Sequence, residues 1–441
     1  MTILLMSSDS IDAQMAGPGI RYWEFATRLA ASHRVILLTP NRSTLRHPNV
    51  EMRQRDAATL RDALKQADVI VTQGFLFPLA PILLTDKPLV VDLYDPLPIE
   101  LLEHHRHLPL DAAQLSQSYC VERTMLLLRR GDLFLYSHER QRDYWMGLLT
   151  AAGRVNHQAY RADATFDRLF ACVPFGMPDE PPAPTKPVFR GAGGLFSETD
   201  TILLWGGGLW KWFDPCSVIR AMAEISASRS DIKLLFLGAK RASSDTTGIN
   251  IAYATNDAIA LSQALGVHER TVFFSDAWLP YHERQNVFAE ANLGVSAHFD
   301  CFETRLSFRT RLLDYLWAGL PIISTKGDYL SELVERHQLG VTVAPQRVGE
   351  LQAAMLRLTD DRAFAEQCRE NIRKFRGQYT WSHVMRPLEA FCAAPHRAQQ
   401  PGAVRRRLAL LHFYLTTGAL LIRHNGYRKI LAKLKQLANI G

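Results

Sequence analysis

Short, unbroken apolar runs alternate with amphipathic stretches along most of this chain of 441 residues. The runs Thr2 to Leu5, Arg34 to Thr39, Val69 to Thr72, Leu89 to Leu93 and Leu133 to Tyr136 lack polar alternation. That is the pattern of strands buried on both faces of a parallel sheet, and the sequence between them reads as helix or loop. Periodicity stops between Val173 and Asp200, in VPFGMPDEPPAPTKPVFRGAGGLFSETD, where proline and glycine dominate. It resumes with Thr201 to Trp205, Lys233 to Leu237, Thr271 to Phe274, Leu293 to Ser296, Pro321 to Ser324 and Val341 to Val343. The pattern predicts an α/β protein of two doubly wound, Rossmann-like domains, 1–175 and 201–380, joined by a linker over 176–200. A crossover helix over 381–395 and a basic amphipathic tail over 396–441 complete the expectation. Open parallel sheets take ligands beyond the carboxyl ends of their strands, so two that face each other would form a cleft.

Charge changes this picture only at one end. The formal charge is +7, yet nine cations and no acid follow His396, so the chain before it carries −2. A local basic segment is not the broad basic surface of a nucleic-acid binder. The six cysteines have no paired spacing, which suggests neither a zinc site nor a disulfide framework and fits a reducing cytoplasm. The opening MTILLMSSDS reads as a first strand rather than as a signal peptide.

Candidate chemistry gathers after the strands. In LSFRTRLLDYLWAGLP, Arg309 and Arg311 stand at a helix start, where guanidinium forks and free backbone N–H groups favour a phosphate, and Asp314 can hold a sugar hydroxyl. A solvated basic helix face is the alternative. Gly206, Gly207 and Gly208 follow TILLW and leave backbone N–H groups open, with Lys211 to complement a phosphate and Trp210 and Trp212 as walls; a flexible turn is the alternative. Glu303 lies in the loop after LGVS, together with His298 and Asp300. In the first half, Gly17 and Gly19 form a loop open to close approach, and Arg21 opposes the helix dipole unless an anion is near. Asp92, Tyr94 and Asp95 in VVDLYDPLP stand at a strand end, where a carboxylate can orient an acceptor hydroxyl or take its proton, or where Asp95 merely shapes a turn before Pro96. No DxD pair, HExxH, GxSxG or Walker loop is present, so no metal ligands are expected.

The glycine segment MAGPGIRYWE, the hinge VPFG, the second-half opening LLWGGGLWKWFDP and the block from His298 through LLDYLWAGLPIISTKGDYLSELV to Gly340 resemble GT-B glycosyltransferases, more narrowly the retaining enzymes of glycosyltransferase family 4. The resemblance covers about residues 1 to 395. It implies a hexosyl-transferring enzyme with a nucleotide diphosphate sugar as donor substrate, no further cofactor, a donor-binding second domain and an acceptor-binding first domain. Asp314 then takes the place of the ribose-binding carboxylate, and backbone around Phe308, Thr310 and Leu312 contacts diphosphate and sugar. Leu306 stands where the first of two glutamates is usual, with Glu303 three residues early; Gly208 and Phe213 stand where an Arg and a Lys are usual. Arg309 and Arg311 are expected to take over the phosphate work, Glu303 to face the donor sugar, and Asp92 or Asp95 to replace an absent acceptor-side histidine.

The tail pairs an apolar stretch, LALLHFYLTTGALLI, with a second face of Tyr427, Ile430, Leu431, Leu434 and Leu437 among lysines. It suits peripheral contact with an anionic membrane on the inner face of the cell membrane, or docking on the protein or a second subunit. The expected reaction is sugar transfer to a glycan or lipid-linked saccharide. A nucleotide-sugar 2-epimerase and a non-catalytic glycan-binding module of the same fold are the alternatives.

Overall fold

The computed structural model describes residues 1–74, 80–191, 194–238, 252–275 and 279–398, then 402, 404, 406–416 and 418. It divides into two compact units, the first made of Met1–Pro174 and Val384–Gly441, the second of Phe175–His383.

In the first unit the strands are β1 (Thr2–Met6), β2 (Arg34–Thr39), β3 (Val50–Gln54), β4 (Val69–Gln73), β5 (Leu89–Asp92), β6 (Leu133–Tyr136) and β7 (Phe170–Cys172). They form one parallel sheet in the order β3-β2-β1-β4-β5-β6-β7. Every β1 side chain from Ile3 to Met6 is fully buried, as a central strand covered on both faces must be. β3 and β7 were not foreseen: VEMRQ buries only Val50, and FAC is three residues long. The helix after β1 spans Gly17–Leu29 with Pro18 in its first turn, so the expected glycine loop is helix from its first glycine. Gly19 has no room for a side chain, because a Cβ there would lie 2.6 Å from the Ser10 carbonyl oxygen.

The second unit repeats the plan with β8 (Thr201–Gly206), β9 (Ile232–Leu237), β10 (Val272–Ser275), β11 (Leu293–Ser296), β12 (Ile322–Thr325) and β13 (Gly340–Val343), in the order β10-β9-β8-β11-β12-β13. In each sheet the chain reverses direction of growth beside its first strand, β1 against β4 and β8 against β11, which is where ligand crevices form in this architecture. The segment 176–200 is not a free linker but part of the second unit. Thr185 N–H donates to Asn286 at 2.8 Å, Val188 and Phe189 N–H donate to the Glu290 carboxylate at 2.6 and 2.8 Å, and buried Phe196 packs edge-on against Phe273. The chain also leaves this unit beside its point of arrival. Met177 N–H donates to Tyr379 O at 2.8 Å and Trp381 N–H returns the bond to Met177 O at 2.9 Å. The expected crossover segment therefore straddles the unit boundary, with Trp381 in the core of the second unit and Arg386–Ala393 in the first.

The described part of the C-terminal helix docks on the first unit, where Leu410 and Phe413 join its main core. The remainder of LALLHFYLTTGALLI and the whole second amphipathic face lie outside the described residues.

Candidate active site

The second unit concentrates charge at the carboxyl ends of β8, β11 and β12. After β8, the three glycines have different reasons. Gly206 packs, since a Cβ would sit 3.1 Å from the Phe288 ring; Gly207 has φ of 105°, a conformation that disfavours any side chain. At Gly207 an added Cβ would meet open space, and at Gly208 only the Trp210 indole nitrogen at 3.9 Å. The backbone is therefore bare at Gly207 and nearly so at Gly208. Beyond it Trp210 and Trp212 stack with ring centroids 5.7 Å apart, and burial lowers the pKa of Lys211.

Tyr315 fixes the turn from below. Its hydroxyl accepts from Gly206 N–H at 2.9 Å and donates to Val295 O at 2.8 Å, bridging β8 and β11 beyond their last paired residues, Leu204 and Gly294. Gly294 makes room for that ring, for a Cβ there would lie 2.3 Å from it.

The helix Arg311–Ala318 begins after Thr310, and a left-handed Gly319 ends it. Arg309 just before the helix and Arg311 at its first position are both buried, with 5 % and 7 % exposure, but their environments differ. Arg309 grips the Glu303 carboxylate with both terminal nitrogens, at 3.1 and 2.6 Å, and Thr304 Oγ1 at 3.2 Å. Glu303 is itself only 2 % exposed. Arg309, expected to grip a phosphate, and Glu303, expected to face the donor sugar, thus neutralise each other in the unliganded structure. Proximity in the chain brings them together, since Glu303 sits in the short helix Phe302–Leu306 and Arg309 follows it six positions later.

Arg311 has no such partner. Its Nη2 donates to the Gly208 carbonyl at 2.7 Å, and its guanidinium carbon lies 3.9 Å from the centre of the Phe213 ring and 4.6 Å from that of Trp205. Nη1 is buried without any hydrogen-bond partner, and no carboxylate among the described residues is within ion-pair distance. Burial pushes its pKa down to about 10, Tyr315 and Asp314 opposing. A buried cation with an unused donor is costly unless an anion completes it. Nearby, Asp314 pairs with Arg284 at 2.9 Å yet keeps 26 % of its side chain exposed, so its carboxylate can still accept from a hydroxyl. Phe308 and Leu312 side chains are packed, Phe308 against Tyr329 and Tyr379. The Leu312 N–H is taken by Arg309 O at 2.9 Å.

Sequence reasoning passed over one pair. His298 follows β11 and Asp328 follows β12, and their side chains meet at 3.0 Å with 0 % and 1 % exposure. Strands β11 and β12 are neighbours in register, Ser296 opposite Ser324, so residues shortly beyond each end converge. Asp328 also accepts from Leu330 and Ser331 N–H, capping the helix Tyr329–Arg336. Burial alone would raise its pKa; the His298 contact, Arg309 and the Ser331 amide outweigh that and hold it below the ordinary value. His298 Nδ1 lies 3.2 Å from Phe299 O. Both ring nitrogens thus lie within hydrogen-bonding distance of an oxygen. Among the described residues no group of three or more His, Cys, Asp or Glu could hold a metal ion.

In the first unit Arg21 and Asp92 find each other. Arg21 is fully buried, donates to both Asp92 oxygens at 2.8 and 2.9 Å and to the carbonyls of Val173 and Pro174 at 2.7 and 2.9 Å. Its charge is answered inside the fold, so the anion expected beside it is Asp92. Tyr94 is buried with its ring against the Arg21 guanidinium at 4.8 Å. Gly17 is the first residue of its helix, and Asp95 remains half-buried just beyond β5.

Residues 200–361 match the family model described as glycosyl transferases group 1. This stretch is a glycosyl transferase domain of that group. The chain is a glycosyltransferase, and solved structures give its fold as GT-B. Sucrose-phosphate synthase from Thermosynechococcus elongatus superposes with a TM-score of 0.61 at 16% identity, over 89% of this chain and 98% of that one. WaaG, a glycosyltransferase involved in lipopolysaccharide biosynthesis, gives 0.60 at 16% identity, over 90% and 100%. Anabaena HepE in complex with UDP-glucose gives 0.60 at 13% identity, over 89% and 100%. No curated protein matches the chain. The glycosyltransferase domain holds all of the charged groups described at the β8, β11 and β12 ends.

Proposed function

We propose that this glycosyltransferase moves a sugar from a nucleotide diphosphate sugar to a glycan or lipid-linked saccharide, with retention of anomeric configuration and without a metal ion. The observation that carries the reading is Arg311, a buried guanidinium with an orphaned donor beside a bare glycine turn. The diphosphate of the donor supplies the missing anion, with the Gly207–Gly208 backbone against it and Asp314 on the ribose. As the bond from the anomeric carbon to the phosphate oxygen breaks, negative charge grows on the leaving diphosphate. A preorganised donor such as Arg311 stabilises it by about 3 kcal/mol. The acceptor oxygen bonds to the anomeric carbon on the same face, and its proton passes to the departing phosphate. The Glu303–Arg309 pair braces the loop that positions these groups, while the first unit binds the acceptor, with Asp95, half-buried just beyond β5, as its carboxylate. The basic tail attaches the enzyme peripherally to an anionic membrane surface; among the described residues no helix is long and apolar enough to cross a membrane.

The test is product analysis with a panel of labelled nucleotide sugars, uridine diphosphate sugars first, alone and with lipid-linked saccharides, in the presence of EDTA. A new glycoside with the donor's anomeric configuration is expected. An inverted product, or activity restored only by a divalent ion, overturns the corresponding part of the proposal.

A further inference from the structure

The C-terminal helix of the first unit has two contrasting faces. Leu410 and Phe413 enter the core, Phe413 with its ring 5.6 Å from that of Tyr119. Arg406 and Ala409 share that side by helical spacing, and with Leu83, Leu126, Arg129 and Arg130 they line a cavity of about 280 Å³. This is the scale of a small ligand rather than of one water. Its wall is part hydrocarbon and part guanidinium.

Charge around the cavity is not balanced. Arg130, 1 % exposed, donates to Asp132 at 3.0 Å and to Thr85 O at 2.8 Å, and its Nε is buried without a partner. Neither Arg129 nor the adjacent buried Arg154 has a carboxylate within ion-pair distance among the described residues; Arg154 donates to Arg129 O at 2.8 Å. The acids that reach this cluster are Asp132, which also holds the Leu89 and Ala398 amides and lies 3.9 Å from Arg397, and Asp86, paired with Arg406 at 2.9 Å. Burial lowers the pKa of Arg130 and pushes that of Arg154 down to about 10, as expected of guanidinium groups short of counter-charge.

On the outer face Val404, Leu408, Leu411 and Leu415 are 71, 59, 54 and 64 % exposed. Their spacing of four, three and four residues makes one apolar stripe along the helix. An outward stripe above a cation-rich, part-apolar cavity fits a helix lying in the headgroup layer, with acyl chains on one side and phosphate on the other. We infer that the cavity beneath the C-terminal helix seats the headgroup phosphate of an anionic phospholipid while the Val404 to Leu415 stripe lies at the acyl boundary. The inference rests on the reading of the tail as a membrane contact and assigns that contact a specific seat. The absence of any acid after His396 favours a lipid surface over a protein partner.

The experiment is co-sedimentation of the full chain with vesicles of phosphatidylcholine, alone or mixed with phosphatidylglycerol. Wild type should bind the mixed vesicles, and Leu408→Asp with Leu411→Asp should abolish binding. Arg129→Gln should lower the partition roughly fivefold, the effect of one cation near such a surface. Ala409→Leu fills the cavity and changes no charge, so general attraction predicts no effect and the seat predicts a comparable loss. Ala152 also lines the cavity, and Ala152→Leu fills it from another element should Ala409→Leu lose its cooperative thermal transition. Failure of wild type to bind either vesicle sinks the membrane reading and the seat together. Undiminished binding by the folded cavity-filled variants overturns the seat alone. Displacement by inorganic phosphate, but not by chloride of equal ionic strength, would reassign the cavity to a free phosphate.

Discussion

Arg311→Met separates two roles that a buried arginine can have. The depression of its pKa to about 10, at 1.36 kcal/mol per pH unit, corresponds to about 3 kcal/mol of cost in the unliganded protein. Against this stand the charged hydrogen bond to Gly208 O, worth about 2 kcal/mol, and the contacts with Phe213 and Trp205, worth about 1 kcal/mol together. Methionine gives up all of these and still fills much of the space, so the unliganded stability should change by no more than about 1 kcal/mol. For a unit of this size that is a shift of roughly 2–4 °C in Tm. Transition-state binding should suffer far more. Loss of one donor to the leaving diphosphate costs about 3 kcal/mol, or about a hundredfold in kcat/KM. Thermal scans with and without uridine diphosphate, together with steady-state kinetics, read both effects. A fall in Tm of about 10 °C with unchanged kcat/KM would show the guanidinium to be a structural prop and refute the phosphate assignment.

Arg309 should behave in the opposite way. Arg309→Met leaves Glu303 buried and uncompensated, which costs about 3–5 kcal/mol, and adding Glu303→Gln should recover more than half of it in a urea titration; no recovery would mean the pair is not the source of the loss. The His298–Asp328 contact predicts an acid limb. Because Asp328 has a folded pKa below its unfolded one, its contribution is full above the unfolded value and is lost as pH falls through the folded value. The urea midpoint should therefore decline below the ordinary Asp pKa, and Asp328→Asn should flatten that decline; an equally steep limb in the variant would assign it to other carboxylates.

Much of this architecture was legible because buried parallel strands announce themselves as unbroken apolar runs. RVILLT and LGVS need no tertiary context to be read, whereas β3, with Glu51, Arg53 and Gln54 at a sheet edge, looks like loop. The proline-rich 176–200 segment misled for a related reason. It makes few regular elements, and its attachment depends on Asn286 and Glu290, about a hundred residues away. At the site, sequence identified the loops but not the pairings within them. Nothing local says that Arg21 will choose Asp92 over a ligand, or that Arg309 will take Glu303 while Arg311 goes without. His298 and Asp328 are 30 residues apart and converge only because β11 and β12 lie side by side.

The seam where Met177 meets Tyr379 and Trp381 has an architectural consequence. Ingress and egress of the chain are stitched together there, so the stretch from Phe175 to His383 amounts to a cassette with neighbouring ends. A lobe from another protein of the same fold could be spliced in at those junctions without rerouting the remaining backbone. The steric condition is modest but strict: a residue without a side chain at position 176, since a Cβ there would lie 2.5 Å from the Trp381 indole.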